Sequence, residues 1–241
     1  MIFTIITVHK GKFSSLLKTI YSVDCQSKKP SKHFVIAKNL TKNQKKKIKK
    51  KYRKFIINKD ISIYNAMNLG LKKTINHYIL FLNSGDQLID MNIIKYLFKI
   101  IKFSKKCFIF KTQIIFKHIN FNPKNNFFFS QNYLAHPSFI RPPVLKKTHQ
   151  LFKFNEDFKI ISDGIWMKKN TSQFGSIKIN KILSKHFVGG ISSVPSLTLA
   201  FEKSKISFKE FIKEIIKIIL YQFLNKDIFY KFIYYSKFDT K

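Results

Sequence analysis

Tyr78-Ile79-Leu80-Phe81-Leu82-Asn83-Ser84-Gly85-Asp86 is an unbroken apolar run that stops at a polar turn. Continuous apolarity of this length, bounded by turn residues, suits a strand buried on both faces, as in a parallel sheet. Shortly upstream, Ile63-Tyr64-Asn65-Ala66-Met67-Asn68-Leu69-Gly70 reads as a helix. In an open α/β sheet ligands sit just outside the carboxyl ends of the strands. Asp86, delivered there on a glycine turn, is placed to hold a hard divalent ion and, through it, a phosphate.

Working outward, residues 2 to 8 predict a buried first strand. A helix over 13 to 24 carries Phe13, Leu16, Leu17, Ile20 and Val23 at helical spacing. Pro30 precedes a second strand from His33 to Ala37. Thr41 is a candidate cap for a basic helix through Lys54, and Phe55 to Ile57 make a third strand. Ser62 is a candidate cap for the helix Ile63 to Lys73, and His77 to Leu82 form the fourth strand. This alternation implies an α/β fold with a mainly parallel, Rossmann-like, doubly wound sheet. Further on, the pattern predicts a helix from Asn92 to Phe103, strands at Cys107 to Phe116 and Phe127 to Ser130, and a strand entering the turn at Pro142-Pro143. A short helix is expected over Asp163 to Lys169, and a strand over Ile177 to Val188.

At 241 residues and 45% hydrophobic content the chain suits a single folded domain, not a disordered one. Cys25 and Cys107 form no metal pattern and no disulfide framework, and are expected to be reduced core thiols. Residues 1 to 8 are too short and lack the basic flank of a signal peptide, and no run is long enough to span a bilayer. The net charge of +34 is carried almost wholly by lysine, Arg53 and Arg141 being the only arginines. With Lys, Ile, Asn and Phe all abundant, this points to a compositional bias. Such a charge still draws a protein toward anionic surfaces. No helix-turn-helix, zinc, RRM or KH signature accompanies it, so nucleic acid is not the expected partner.

Ser62-Ile63-Tyr64-Asn65-Ala66-Met67-Asn68-Leu69-Gly70 and Phe81-Leu82-Asn83-Ser84-Gly85-Asp86 together resemble the family-two glycosyltransferases, in the branch that makes bacterial surface polysaccharides. That branch shows Gly-Ile-Tyr-Asp-Ala-Met-Asn-x-Gly followed by an apolar strand ending Leu-Asn-Ser-Gly-Asp. The resemblance runs from Phe3-Thr4-Ile5-Ile6-Thr7-Val8 to about Ser193. It implies a GT-A fold over 1–195, with a nucleotide-sugar half (1–90) and an acceptor half (91–195). It implies an inverting, metal-dependent transfer from a nucleotide sugar, in the first instance a UDP-sugar, to a lipid-linked, lipopolysaccharide or capsule saccharide. The expected cofactor is Mn2+ or Mg2+, and the expected location is the inner face of the cytoplasmic membrane.

On this resemblance Asp163, in Ile160-Ile161-Ser162-Asp163-Gly164-Ile165-Trp166, stands where the family carries its catalytic base; the alternative for the residue is a helix N-cap. The donor is expected at Thr7, Val8, His9, Lys38, Asp60, Asn68, Ser84, Gly85 and Asp86, and the metal at Asp86 with His186. His136 resembles a family position where histidine often precedes a strand, and His186 precedes a loop similar to the family's Gly-Gly-x-Ser; either could reach the diphosphate or the metal, though a lone histidine is more often a packed or surface residue. Some family acids are missing. Ala37-Lys38-Asn39-Leu40-Thr41 stands for Asp-Gly-Ser-x-Asp, Ile57-Asn58 for Ser-Glu, and Asn65 for Asp. A catalytically inactive scaffold of the same fold is the second reading.

From Ser207 onward the character changes. Phe208, Ile212, Ile215, Ile216, Ile219 and Phe223 line one helical face, and Lys205, Lys209, Lys213 and Lys217 recur on another. A basic amphipathic tail over 196–241 fits an anionic membrane surface, or equally a helix packed back on the domain.

Overall fold

The structure, a computed structural model, describes residues 1–59, 62–102, 104–124, 136–190, 193–235 and 238–240. Its first half is β1 (Phe3–His9), α1 (Phe13–Asp24), β2 (Lys32–Ala37), α2 (Lys42–Ile48), β3 (Arg53–Ile57), α3 (Ile63–Lys72) and β4 (Tyr78–Phe81). Every residue of β1 and β4 is buried, as continuous apolar strands between helix layers must be. β1 pairs in parallel with β2 on one side and with β4 on the other, and β3 lies beyond β2. The chain therefore reverses direction of travel across the sheet between β1 and β4. That is the switch point where an open sheet leaves a crevice at its carboxyl edge.

The two faces are filled separately. Leu16 and Ile20 of α1 meet Val35 and Ile48 on one. Tyr64, Met67 and Leu71 of α3 meet Ile6, Ile36 and Phe81 on the other. Gly70 permits this second contact. A Cβ there would lie 2.8 Å from Ile6 Cγ2 and 3.0 Å from Ile36 Cδ1, so only glycine lets α3 settle this closely on the sheet.

The second half continues through β5 (Gln87–Leu88), α4 (Ile93–Ile100), β6 (Cys107–Phe116), β7 (Ile119–Pro123), β8 (Phe139–Arg141), α5 (Ser162–Phe174) and β9 (Ser176–Phe187). From β7 the sheet runs through β6, β8, β4, β1 and β2 to β3, with β9 beside β6 and β5 beside β9. β8 is antiparallel to β4 and to β6, so β6 and its parallel partner β9 point the same way as β4. After α6 (Leu197–Ser204), α7 (Phe208–Phe223) and α8 (Lys226–Tyr235), β10 (Phe238–Thr240) closes the edge against β7. Phe229 and Tyr230 of α8 bury against Ile114 and Phe121, so this end of the chain is packed on the sheet.

The expected α/β fold with a parallel core is the one found, and the differences are local. α2 stops at Ile48 and not at Lys54, because a run of lysines repels along its own helix and offers little apolar surface to hold. Arg53 and Lys54 join β3 instead. α5 runs to Phe174, well past Lys169, because Trp166, Met167, Asn170 and Thr171 are buried and extend it by packing. β5, β7 and β10 were not expected, whereas α6 falls within the tail read as helical from residue 196. Cys107 is a core thiol as expected, whereas Cys25 is exposed at the end of α1. The strand expected at 127–130 lies outside the described residues. No helix is long and apolar enough to cross a membrane among the described residues.

Candidate active site

The turn after β4 is held from three sides. Leu82 and Ser84 donate their amides to the Ile6 and Val8 carbonyls at 2.9 and 3.0 Å, extending the β1 pairing past the formal strand end. Gly85 has φ +109, open to glycine and strained for other residues. Its amide donates to Thr19 Oγ1 at 2.9 Å, and that hydroxyl lies 2.7 Å from the Asp86 carbonyl oxygen. Thr19 and Ser22 on α1 and Gln26 just past its end form a polar row, and Ser22 and Gln26 carry it on to Leu88, Asp90 and Ile94. Sequence reasoning missed this row. Its signal was three polar residues at helical spacing beside the apolar stripe.

The turn brings Asp86 against His186, at the end of β9. Asp86 Oδ1 lies 2.7 Å from His186 Nδ1, with the carboxylate only 6% exposed and the imidazole 23%. Of the proposed residues, these two are joined directly, from sites 100 positions apart. A carboxylate oxygen suits a hard ion such as Mn2+ or Mg2+, and an imidazole nitrogen is a donor that first-row transition ions take. No group of three or more His, Cys, Asp or Glu side chains is gathered for a metal among the described residues. An ion held here therefore needs further ligands from substrate or water, the usual arrangement for an ion shared with phosphates.

The other donor-side positions are largely spent on the framework. The Thr7 hydroxyl lies 2.8 Å from the Leu82 carbonyl oxygen and 2.9 Å from His33 Nε2. Arg53 Nε donates to His33 Nδ1 at 3.1 Å, so the ring carries its proton on Nε2 and donates to Thr7. Burial, and then the Arg53 charge, push His33 well below its ordinary pKa and keep it neutral for this role. The Val8 and His9 carbonyls accept from Ser84 and Lys38 amides at 3.0 Å each. His9 Nδ1 lies 2.9 Å from Ser84 Oγ, and burial lowers its pKa. Both arginines of the chain are buried, so neither forms a surface fork for phosphates. Asp60 lies outside the described residues.

Asp163 sits inside the first turn of α5. Ile161 is the N-cap, so capping does not fall to Asp163. Its Oδ1 accepts the Gly164 amide at 2.8 Å and lies 3.5 Å from the Tyr64 hydroxyl. Tyr64 is held far above its ordinary pKa by burial and next by the Asp163 charge, and it donates to the Ile160 carbonyl. One turn later on α3, Asn68 is fully engaged. Its amide donates to the Phe154 carbonyl at 3.0 Å and to Glu156 Oε1 at 2.8 Å, and its oxygen accepts the Phe154 amide at 2.8 Å. Asn65 donates to Glu156 Oε2 at 2.9 Å. Asn68 thus fastens the loop ahead of α5, a structural task, where the sequence suggested donor contact. The N-terminus of α3 and the ends of β4 and β9 all lie at the carboxyl edge of the parallel strands. Asp163, in contact with Tyr64, is on the same edge as Asp86 and His186.

No family profile matches the chain, and no curated protein sequence does. Solved structures do. S. aureus TarS 1–349 in complex with UDP-GlcNAc superposes with a TM-score of 0.65 at 15% identity, over 95% of this chain and 69% of that one. The same protein in complex with UDP gives 0.61 at 15% identity, over 78% of this chain and 61% of that one. Mannosyltransferase PcManGT from Pyrobaculum calidifontis, in complex with GDP-Man and Mn2+, gives 0.62 at 9% identity, over 88% and 64%. The chain thus spans about six-tenths of the length of the first TarS match. At such identities the likeness is one of fold, and it is the fold that the two motifs implied.

Proposed function

We propose that this chain is an inverting glycosyltransferase that moves a sugar from a nucleotide sugar, in the first instance a UDP-sugar, to a saccharide hydroxyl. The observation that carries the reading is the Asp86–His186 pair, closed at 2.7 Å on the carboxyl edge beside the β1/β4 switch point. Structures of the same fold that hold UDP-GlcNAc, or GDP-Man with Mn2+, support it. Asp86 and His186 would hold the divalent ion. When bound, the ion supplies positive charge against the departing diphosphate. Gly85 and Ser84 shape the turn that meets the phosphates. Asp163 accepts the acceptor hydroxyl proton as that oxygen bonds to the anomeric carbon and the bond to the diphosphate breaks.

For the acceptor we propose a lipid-linked saccharide of surface polysaccharide, lipopolysaccharide or capsule type, met at the inner face of the cytoplasmic membrane. Leu197, Phe201, Phe208, Ile212, Ile216, Ile219 and Phe223 remain exposed on α6 and α7, Phe223 at 82% and Phe208 at 73%. An apolar row on a chain of net charge +34 suits an anionic lipid surface.

Thermal unfolding with UDP, with and without Mn2+, tests the core of the reading. A rise in Tm that needs both, and that Asp86→Ala removes, is the expected result. No response to any nucleotide would favour the inactive scaffold, which Lys38 and Asn65 at positions of family acids also suggest.

A further inference from the structure

We infer that Glu202 is a positioning residue for Asp163, so that the helices after residue 195 complete the active site instead of merely following it. The inference deepens the transferase reading and rests on it. Glu202, on α6, is 7% exposed, and its carboxylate accepts three consecutive backbone amides. Lys159 donates to Oε1 at 2.6 Å, and Ile160 and Ile161 donate to Oε2 at 3.0 and 3.1 Å. These are the residues that lead into α5, whose N-cap Ile161 offers no side-chain acceptor. A helix start presents amides without intrahelical partners and a positive dipole end, and both favour an acid there. Here the acid comes from another helix, 41 positions along the chain.

The peptide between Ile160 and Ile161 is gripped from both sides. Glu202 takes the Ile161 N–H and the Tyr64 hydroxyl donates to the Ile160 carbonyl. Asp163 follows three residues later, so rotation of this peptide swings the carboxylate. Glu202 is itself fixed. The Ser196 side chain caps α6, accepting the Leu199 amide at 3.3 Å. A pair between the partly buried Lys203 and the buried Glu214 at 2.7 Å ties α6 to α7. Burying a carboxylate is costly unless it is fully used. Three amides use this one, and what they fix is the entry to the residue assigned as base. A misplacement of about 1 Å at such a group costs about 10²-fold in rate.

The test measures UDP release from a panel of UDP-sugars with Mn2+, together with hydrogen exchange over residues 158–166. Glu202→Gln keeps the shape but replaces one accepting oxygen by a donor. Tyr64→Phe loosens the same peptide from the other side and guards against a misfolded first variant. We expect faster exchange at 159–161 in Glu202→Gln. We also expect a fall in kcat of about 10- to 100-fold in both variants. The donor KM and the Tm rise with UDP and Mn2+ stay within twofold of wild type. An unchanged kcat overturns the role, as does a parallel loss of kcat and donor affinity with a general fall in Tm. If wild type turns over no donor while exchange at 159–161 still responds to Glu202→Gln, the transferase reading itself has failed and this role falls with it.

Discussion

Asp86 and Asp163 share an edge but are held in opposite ways. Asp86 lies in the turn that follows a buried strand, and that turn is stitched to β1 and to Thr19 of α1. Asp163 stands on a helix whose entry is gripped by Tyr64 from α3 and Glu202 from α6. The first is rigid because the sheet is rigid. The second is only as rigid as two distant side chains make it. On the proposed reading the first kind of support suits a carboxylate that holds an ion, and the second makes the base depend on its braces.

The sharpest break between the two sites is Asp163→Asn, which should lower UDP release by about 10²- to 10⁴-fold while leaving the Tm response to UDP and Mn2+ intact. Loss of that response together with activity would show that the two carboxylates do not work separately. Asp86→Ala should do the converse. It should abolish the ion-dependent part of the nucleotide shift, about 2.7 kcal/mol at a hundredfold excess of ligand over Kd. A shift that survives in Asp86→Ala would move the ion elsewhere. Rigidity on the strand side is probed by Gly70→Ala, which forces α3 off Ile6 and Ile36 and should cost about 1–3 kcal/mol in urea unfolding without changing nucleotide affinity per folded molecule.

A smaller effect concerns pH. His77, whose Nδ1 lies 3.0 Å from Thr4 Oγ1 beneath the sheet, is pushed down to about 4 by burial and then by Lys32 and Arg141. The unfolded chain therefore takes up the proton first as pH falls. Stability should be full above the ordinary histidine pKa of about 6.5 and decline toward pH 4. His77→Gln should flatten that slope in Tm against pH. An unchanged slope would assign it to His9, His33 and His149, which are shifted the same way by burial.

How much of this could be read from the chain follows the same division. The apolar run 78–82, the polar stop and the Tyr64-to-Gly70 helix are local patterns, and each codes its own geometry. They place Asp86 and predict the Ser62 and Thr41 caps, which accept the Asn65 and Gln44 amides as expected. The braces are not local. Nothing near Ile160 announces Glu202, and Asp86 and His186 are paired beforehand only by the family resemblance, not by any pattern beside either residue, because both contacts exist only once the sheet has formed. One faint signal was available. With 12 acids against 46 basic residues, a glutamate that the fold buries has a specific partner to meet. Asn68 misled for the same reason. Its place in the motif suggested a ligand, while its amide closes on Phe154, 86 positions away.

The Asn65–Glu156 contact makes these two positions interdependent. The resembled branch carries aspartate where Asn65 stands, and an aspartate here would confront Glu156 across the 2.9 Å now spanned by a donated hydrogen. The amide on the helix and the acid on the loop thus behave as a matched set. A chimera that restores the aspartate alone should be worse than either parent, and its defect should be repaired by changing residue 156 in the same gene.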